Sequence, residues 1–185
     1  AEYAEQRKRE VKESARLMGA EAIWLDYADG FLPANQEVAL QVCDLIRAEQ
    51  PTILLTHWKG CFHKDHVATY EIVQEAIFYA ALPSFKRYNP ANRVQQLYYP
   101  ENWEEMDGWQ ADIYLDVSDI WAQYLATLKS HELMGGNISD FRYFDYYNAL
   151  GTTRGCLGGF DKAVALMVPQ GSWTKRVGYL PDFNS

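Results

Sequence analysis

The run Thr52–Trp58 (TILLTHW) constrains the chain most: it is dominantly apolar and lies between two stretches with helical periodicity. A strand apolar on both faces must be covered on both faces, the condition of a parallel strand inside an α/β sheet. On its amino-terminal side, Asn35 is placed to cap a helix to about Glu49, with Val38, Val42, Leu45 and Ile46 as the buried stripe and Pro51 as its breaker. On its other side a helical pattern runs from about His63 to Ala81.

The same alternation extends in both directions. Residues 3–18 read as an amphipathic helix with Val11, Ala15 and Met18 on one face, stopped by Gly19. Ala22–Tyr27 reads as a short strand, followed by a loop with Asp29, Gly30 and Pro33. Further on, Gln95–Tyr99 and Ala111–Val117 read as strands, the second with Ile113, Leu115 and Val117 on one face. Asp119 is placed to cap a helix to about Leu133, and a Tyr- and Phe-rich helix spans about Ser139 to Leu157. Beyond Val168 the chain reads as irregular. Helices and strands in this order predict a single domain over 1–185. The expected fold is α/β, a doubly wound, mostly parallel, Rossmann-like sheet in three αβα layers.

Composition narrows the function. A net charge of −8 argues against a nucleic-acid footprint, and the short basic cluster Arg7-Lys8-Arg9 is diluted by acids. The three cysteines, Cys43, Cys61 and Cys156, show no metal-type spacing and no disulfide framework, which fits a reducing, cytoplasmic setting. No run approaches the ~18 apolar residues that span a bilayer. The 13 Tyr and 6 Trp fill cores first and line sugar-binding clefts second.

Three of the four histidines, His57, His63 and His66, fall in the segment Thr56–His66 (THWKGCFHKDH), where the apolar strand passes into a helix. Ligands of open α/β sheets collect at the carboxyl ends of strands, so polar groups here are well placed for chemistry. His63 and His66 share one face of a helical turn, and Asp65 between them is placed to orient one imidazole. This pattern points to metal or acid/base function. It supplies at most two imidazoles, so other ligands of an ion must come from elsewhere.

THWKGCFHKDH resembles the second signature of the LmbE-like, or N-acetylglucosaminyl-phosphatidylinositol deacetylase, superfamily, an H-P-D-H or H-K-D-H element between strand and helix. Arg7, Glu10, Ala15 and Gly19 resemble that family's R-x-x-E-x-x-x-A-x-x-L-G helix, Asp29-Gly30 its D-G loop, and Ile46-Arg47 with Pro51 its I-R-x-x-x-P element. The resemblance implies an N-deacetylase of acetylated sugars or sugar conjugates that uses Zn2+, or another divalent metal. It implies that His66 is a metal ligand, that His63 stabilises an oxyanion, and that Asp65 holds His63 protonated. Arg7, with Arg9 as its competitor, and Arg154 are expected to reach substrate. Cys61 stands where some members carry a tyrosine that protonates the leaving amine, and His57 and His131 read first as structural. The family's A-H-P-D-D-E signature, source of the other ligands and the base, is not in this sequence, so the first βα unit is expected upstream. A hydratase on the same scaffold and a non-catalytic carbohydrate-binding homologue are the alternatives. The expected partner is a small acetylated sugar, with neither nucleic acid nor membrane span; self-association is left open.

Overall fold

The computed structural model describes residues 2–102, 107–135 and 140–169. Along the chain run α1 (Glu2–Met18), α2 (Gln36–Glu49), β1 (Ile53–Leu55), α3 (Lys64–Ala80), β2 (Gln96–Pro100) and β3 (Ile113–Asp116). A 3-10 turn (Ser118–Ile120), α4 (Trp121–Lys129), α5 (Tyr143–Gly158) and β4 (Ala163–Met167) complete it. The tail beyond Val168 lies outside the described residues from position 170 onward.

The sheet order is β1-β2-β4-β3. β1 pairs with β2 in parallel, from Ile53 opposite Gln96 to Leu55 opposite Tyr98. β4 pairs antiparallel with β2 and with β3. Three strands, β1, β2 and β3, therefore run in one direction, and β4 is inserted between two of them in reverse. The α/β class and the mostly parallel strand direction agree with the sequence reading, although β4 itself was not foreseen. Its apolar run AVALM is bounded by Gly158-Gly159 on one side and Pro169 on the other, a strand signal that the reading of the glycines as a helix end passed over.

Two of the expected strands change. Ala22–Tyr27 forms no ladder among the described residues, turns locally where the Tyr27 amide donates to the Leu25 carbonyl (2.9 Å), and leaves Ile23 and Trp24 exposed. An apolar run becomes a strand only where a neighbour takes its backbone bonds. β1 is three residues long, prolonged by a bond from the Thr56 amide to the Tyr98 carbonyl (3.1 Å), and exposes Ile53 (51%) and Leu55 (54%). It stands at the edge of the described sheet, not in its middle.

The core lies between α2 and α3. Val38 and Ala39 meet Ala68 and Ile72, while Cys43 and Ile46 meet Ala76 and Ala80, with Leu54 of β1 against the second group. Small residues on α3 let the two helices approach closely. α2 begins as expected, Asn35 accepting from the Val38 amide (3.0 Å). It ends at Gln50, in the left-handed region at φ 51°.

Arg47, only 3% exposed, closes the far end of α3. Its guanidinium donates to the carbonyls of Tyr79 (2.9 Å) and Leu82 (2.8 Å), and to Asn89 (3.3 Å). Terminal helix carbonyls lack intrahelical partners, and a cation suits that end of the dipole. Arg47→Met is predicted to lower stability by about 3 kcal/mol, since it strands buried carbonyls. Urea unfolding of both proteins measures this directly.

Candidate active site

α3 starts where the chemistry is. His63 is its N-cap, and the His63 Nδ1 accepts from the Asp65 backbone N–H at 3.3 Å. That bond uses the Nδ1 lone pair and leaves the proton of a neutral ring on Nε2. Nε2 lies 3.8 Å from Asp29 Oδ1.

Asp65 does not hold the His63 ring, which corrects the role drawn from the resemblance. Its carboxylate accepts instead from the backbone N–H groups of Gly30 (2.6 Å) and Leu32 (3.3 Å). Two residues into the helix, the side chain leans across to the 29–32 loop and away from the cap. Gly30 has φ +78°, a conformation that favours glycine and aims its N–H at Asp65. The carboxylate nearest His63 is thus Asp29, which the sequence marked only as part of a turn.

The loop from β1 to α3 is pinned from below. Trp58 Nε1 donates to the Asp107 carbonyl (2.8 Å), and the Asp107 amide donates to the Gly60 carbonyl (2.8 Å). A Cβ at Gly60 would lie 1.9 Å from the Asp107 oxygen, so no larger residue fits.

This framework stacks three imidazoles. The His57 and His66 rings are 3.9 Å apart and nearly parallel, at 6°. His63 lies on the other side of His66, with centroids 4.6 Å apart at 23°. His57, read first as structural, is therefore part of the cluster. His66 Nδ1 has two neighbours, Cys61 Sγ at 3.1 Å and Asn102 Nδ2 at 3.2 Å. Asn102 is fixed in turn by the Tyr147 hydroxyl, which donates to its backbone carbonyl at 2.9 Å. Burial first, and then the charges of His57 and His63, push the His66 pKa down from 6.5 to about 4. Burial and the His63 charge lower His57 as well.

The stack faces a cleft of about 770 Å³. Its walls include Tyr3, Trp24, Tyr27, Phe62, Tyr143 and Tyr147, together with Arg7, Asp29, Leu133 and Met134. Of the two competing arginines, Arg7 lines the cleft and Arg9 is exposed. Arg154 is not among the lining residues; it donates Nε to Glu101 Oε2 (2.8 Å), and a second bond from Nη2 completes a bidentate pair that ties α5 to the end of β2. His131 sits away from the stack, beside Glu10 on α1 (3.6 Å).

The first 77 residues match the family model for PIG-L, GlcNAc-PI de-N-acetylase. The match covers 77 of the 185 residues. The matched segment runs from α1 into α3 and holds Arg7, Asp29 and the whole imidazole stack, whereas Asn102, Leu133 and α5 lie beyond it. Among curated proteins, the chain is similar to 4-oxalmesaconate hydratase of Pseudomonas putida KT2440, with 24% identity over 157 residues. That match takes 84% of this chain and 58% of the relative, so the chain spans less than two thirds of the relative's length.

Solved structures agree on the fold. The 4-carboxy-2-hydroxymuconate hydratase of Pseudomonas putida KT2440 superimposes with a TM-score of 0.82 at 20% identity, over 94% of this chain and 75% of that one. A conserved protein of Thermus thermophilus gives 0.77 at 22%, over 92% and 76%. The N,N'-diacetylchitobiose deacetylase of Pyrococcus horikoshii gives 0.70 at 23%, over 91% and 64%. At these identities the likeness concerns architecture.

Zinc takes neutral imidazole, thiolate and carboxylate donors, usually four in number with water included. His66 suits it in kind, being neutral through most of the acid range. The number falls short: among the described residues no group of three or more His, Cys, Asp or Glu is arranged to hold a metal ion. The described residues alone do not make a closed zinc site.

With a chelator present, His66 is predicted to titrate near pH 4, well below an ordinary histidine. A ring harder to protonate folded than unfolded contributes stability in full above 6.5, lost as pH falls from 6.5 toward about 4. NMR titration of the imidazole resonances reads this; a His66 midpoint near 6.5 contradicts the stacked geometry.

Proposed function

We propose that this protein acts in metal-dependent removal of an N-acetyl group from a sugar or sugar conjugate. The observation that carries the reading is the pairing of His63, with Nε2–H free of the cap bond, and neutral His66 beside an aromatic-walled cleft. A divalent ion, zinc first among the candidates, supplies carbonyl polarisation and water activation when bound.

The chain's own residues account for the rest of the reading. Nε2–H of His63 is a donor for the charge that develops on the amide oxygen as water adds to the carbonyl carbon. Asp29 Oδ1 stands 3.8 Å from that nitrogen. Cys61 Sγ and Asn102 fix the His66 ring at Nδ1, and Nε2 has a lone pair for a metal in the tautomer whose Nδ1–H donates to the Cys61 sulfur. The C–N bond then breaks to give acetate and a free amine. Aromatic walls suit the apolar faces of a sugar ring, and Arg7 offers donors to its hydroxyls. A cytoplasmic setting belongs to the same reading, because all three cysteines are free thiols.

A second reading, hydration of an unsaturated diacid, is favoured by the two hydratases among the similar proteins. Charge weighs against it. Charge-assisted bonds hold carboxylates best, and among the described lining residues Arg7 is the one guanidinium, already paired with Glu10.

Incubation with N-acetylglucosamine conjugates and, separately, with unsaturated dicarboxylates separates the two readings by product analysis. Acetate release that a chelator abolishes, and that His66→Ala reduces about 100-fold or more, is the expected result. Hydration of the diacid without acetate release would overturn the deacetylase reading. Sugar binding without turnover would instead identify a carbohydrate-binding homologue.

A further inference from the structure

Glu10 on α1 is 8% exposed, an unusual place for a carboxylate. It stands one helical turn beyond Arg7, whose Nη1 donates to Glu10 Oε2. Gln6 Nε2 donates to Oε1 at 2.9 Å, and the Glu132 backbone N–H donates to the same oxygen at 3.3 Å. His131 Nδ1 lies 3.6 Å from Oε2. Glu10 thus joins α1 to the segment leading into Leu133 and Met134, which form part of the cleft wall.

Burial pushes the Glu10 carboxyl up, but the bonds from Gln6 and Glu132 and the charges of Arg7 and His131 outweigh it, and the group sits below its ordinary value. It is therefore ionised at neutral pH. Arg7 keeps 26% of its side-chain surface exposed and lines the cleft, and a guanidinium carries five N–H donors. Pairing with Glu10 cancels its net charge while leaving donors for a ligand.

We propose that Glu10 is a specificity-determining residue: by neutralising Arg7, it makes the cleft accept neutral, hydroxylated ligands and reject anionic ones. The proposal rests on the reading of the cleft as a sugar site. Glu10→Gln keeps the shape and an acceptor oxygen for Arg7 but adds one unit of positive charge to the wall. Arg7→Met does the reverse, leaving the carboxylate uncompensated.

The test measures binding of N-acetylglucosamine and of its 6-phosphate to the full chain by calorimetry. The wild-type protein prefers the neutral sugar. Glu10→Gln shifts the affinity ratio toward the phosphate by about three- to tenfold, an effect that fades as salt is raised. Arg7→Met shifts it the opposite way by a similar factor, and adding Glu10→Gln to that variant gives no gain toward the phosphate beyond the wild-type ratio. Should Glu10→Gln fail to fold alone, the double variant decides: a ratio moved from that of Arg7→Met back to the wild-type value supports the role of Glu10, and a ratio unchanged from Arg7→Met overturns it. An unchanged ratio in a variant that still binds the neutral sugar overturns the role of Glu10 and leaves the sugar reading standing. Failure of the wild-type protein to bind either sugar overturns both.

Discussion

The Asp65 carboxylate accepts from the backbone N–H groups of Gly30 and Leu32, and the arrangement of the site depends on these two bonds. They fasten the 29–32 loop to the first turn of α3, which sets Asp29 beside His63 and carries Tyr27 into the cleft wall. An ionised acceptor with two backbone donors is stronger than a neutral one, and here it joins segments 33 to 35 residues apart. The helix whose first turn carries Asp65 is held at its other end by Arg47, so α3 is fixed at both termini.

On that rigid mount the imidazoles are sorted by environment. His57 and His66 face each other in surroundings that oppose protonation, and His63 caps the helix at the outer side of the stack. The fold thereby separates a neutral donor ring from a ring whose Nε2–H meets a carboxylate. Elsewhere on the cleft wall, half-buried Arg7 is paired with buried Glu10.

Much of this was legible in the sequence where local chemistry decides the structure. The Asn35 cap, the stop at Gly19 and the α3 start at His63 are encoded by side chains within a few residues of one another. The strand-to-helix setting of His63 and His66 followed from the apolar run before them. Long-range pairing was not legible: β4 depends on β2 and β3, and Ala22–Tyr27 has strand composition but no ladder partner among the described residues. The same limit explains the site residues that were missed. Asn102 reaches His66 from the end of β2, and Asp29 reaches His63 from a turn 34 positions earlier, neither marked by spacing. Asp65 was recognised as important for the wrong contact, since spacing cannot say which way a side chain leans at a helix start.

The central claim is that the His66 ring presents a nitrogen to a divalent cation at the mouth of the sheet, with His63 alongside. Zinc-edge anomalous diffraction from crystals of the zinc-loaded protein tests it most directly. The account predicts a peak in the cleft about 2.1 Å from an imidazole nitrogen of His66, with the His63 ring next to it. A peak that avoids His66, or a His66 ring turned out of the cleft, would contradict it.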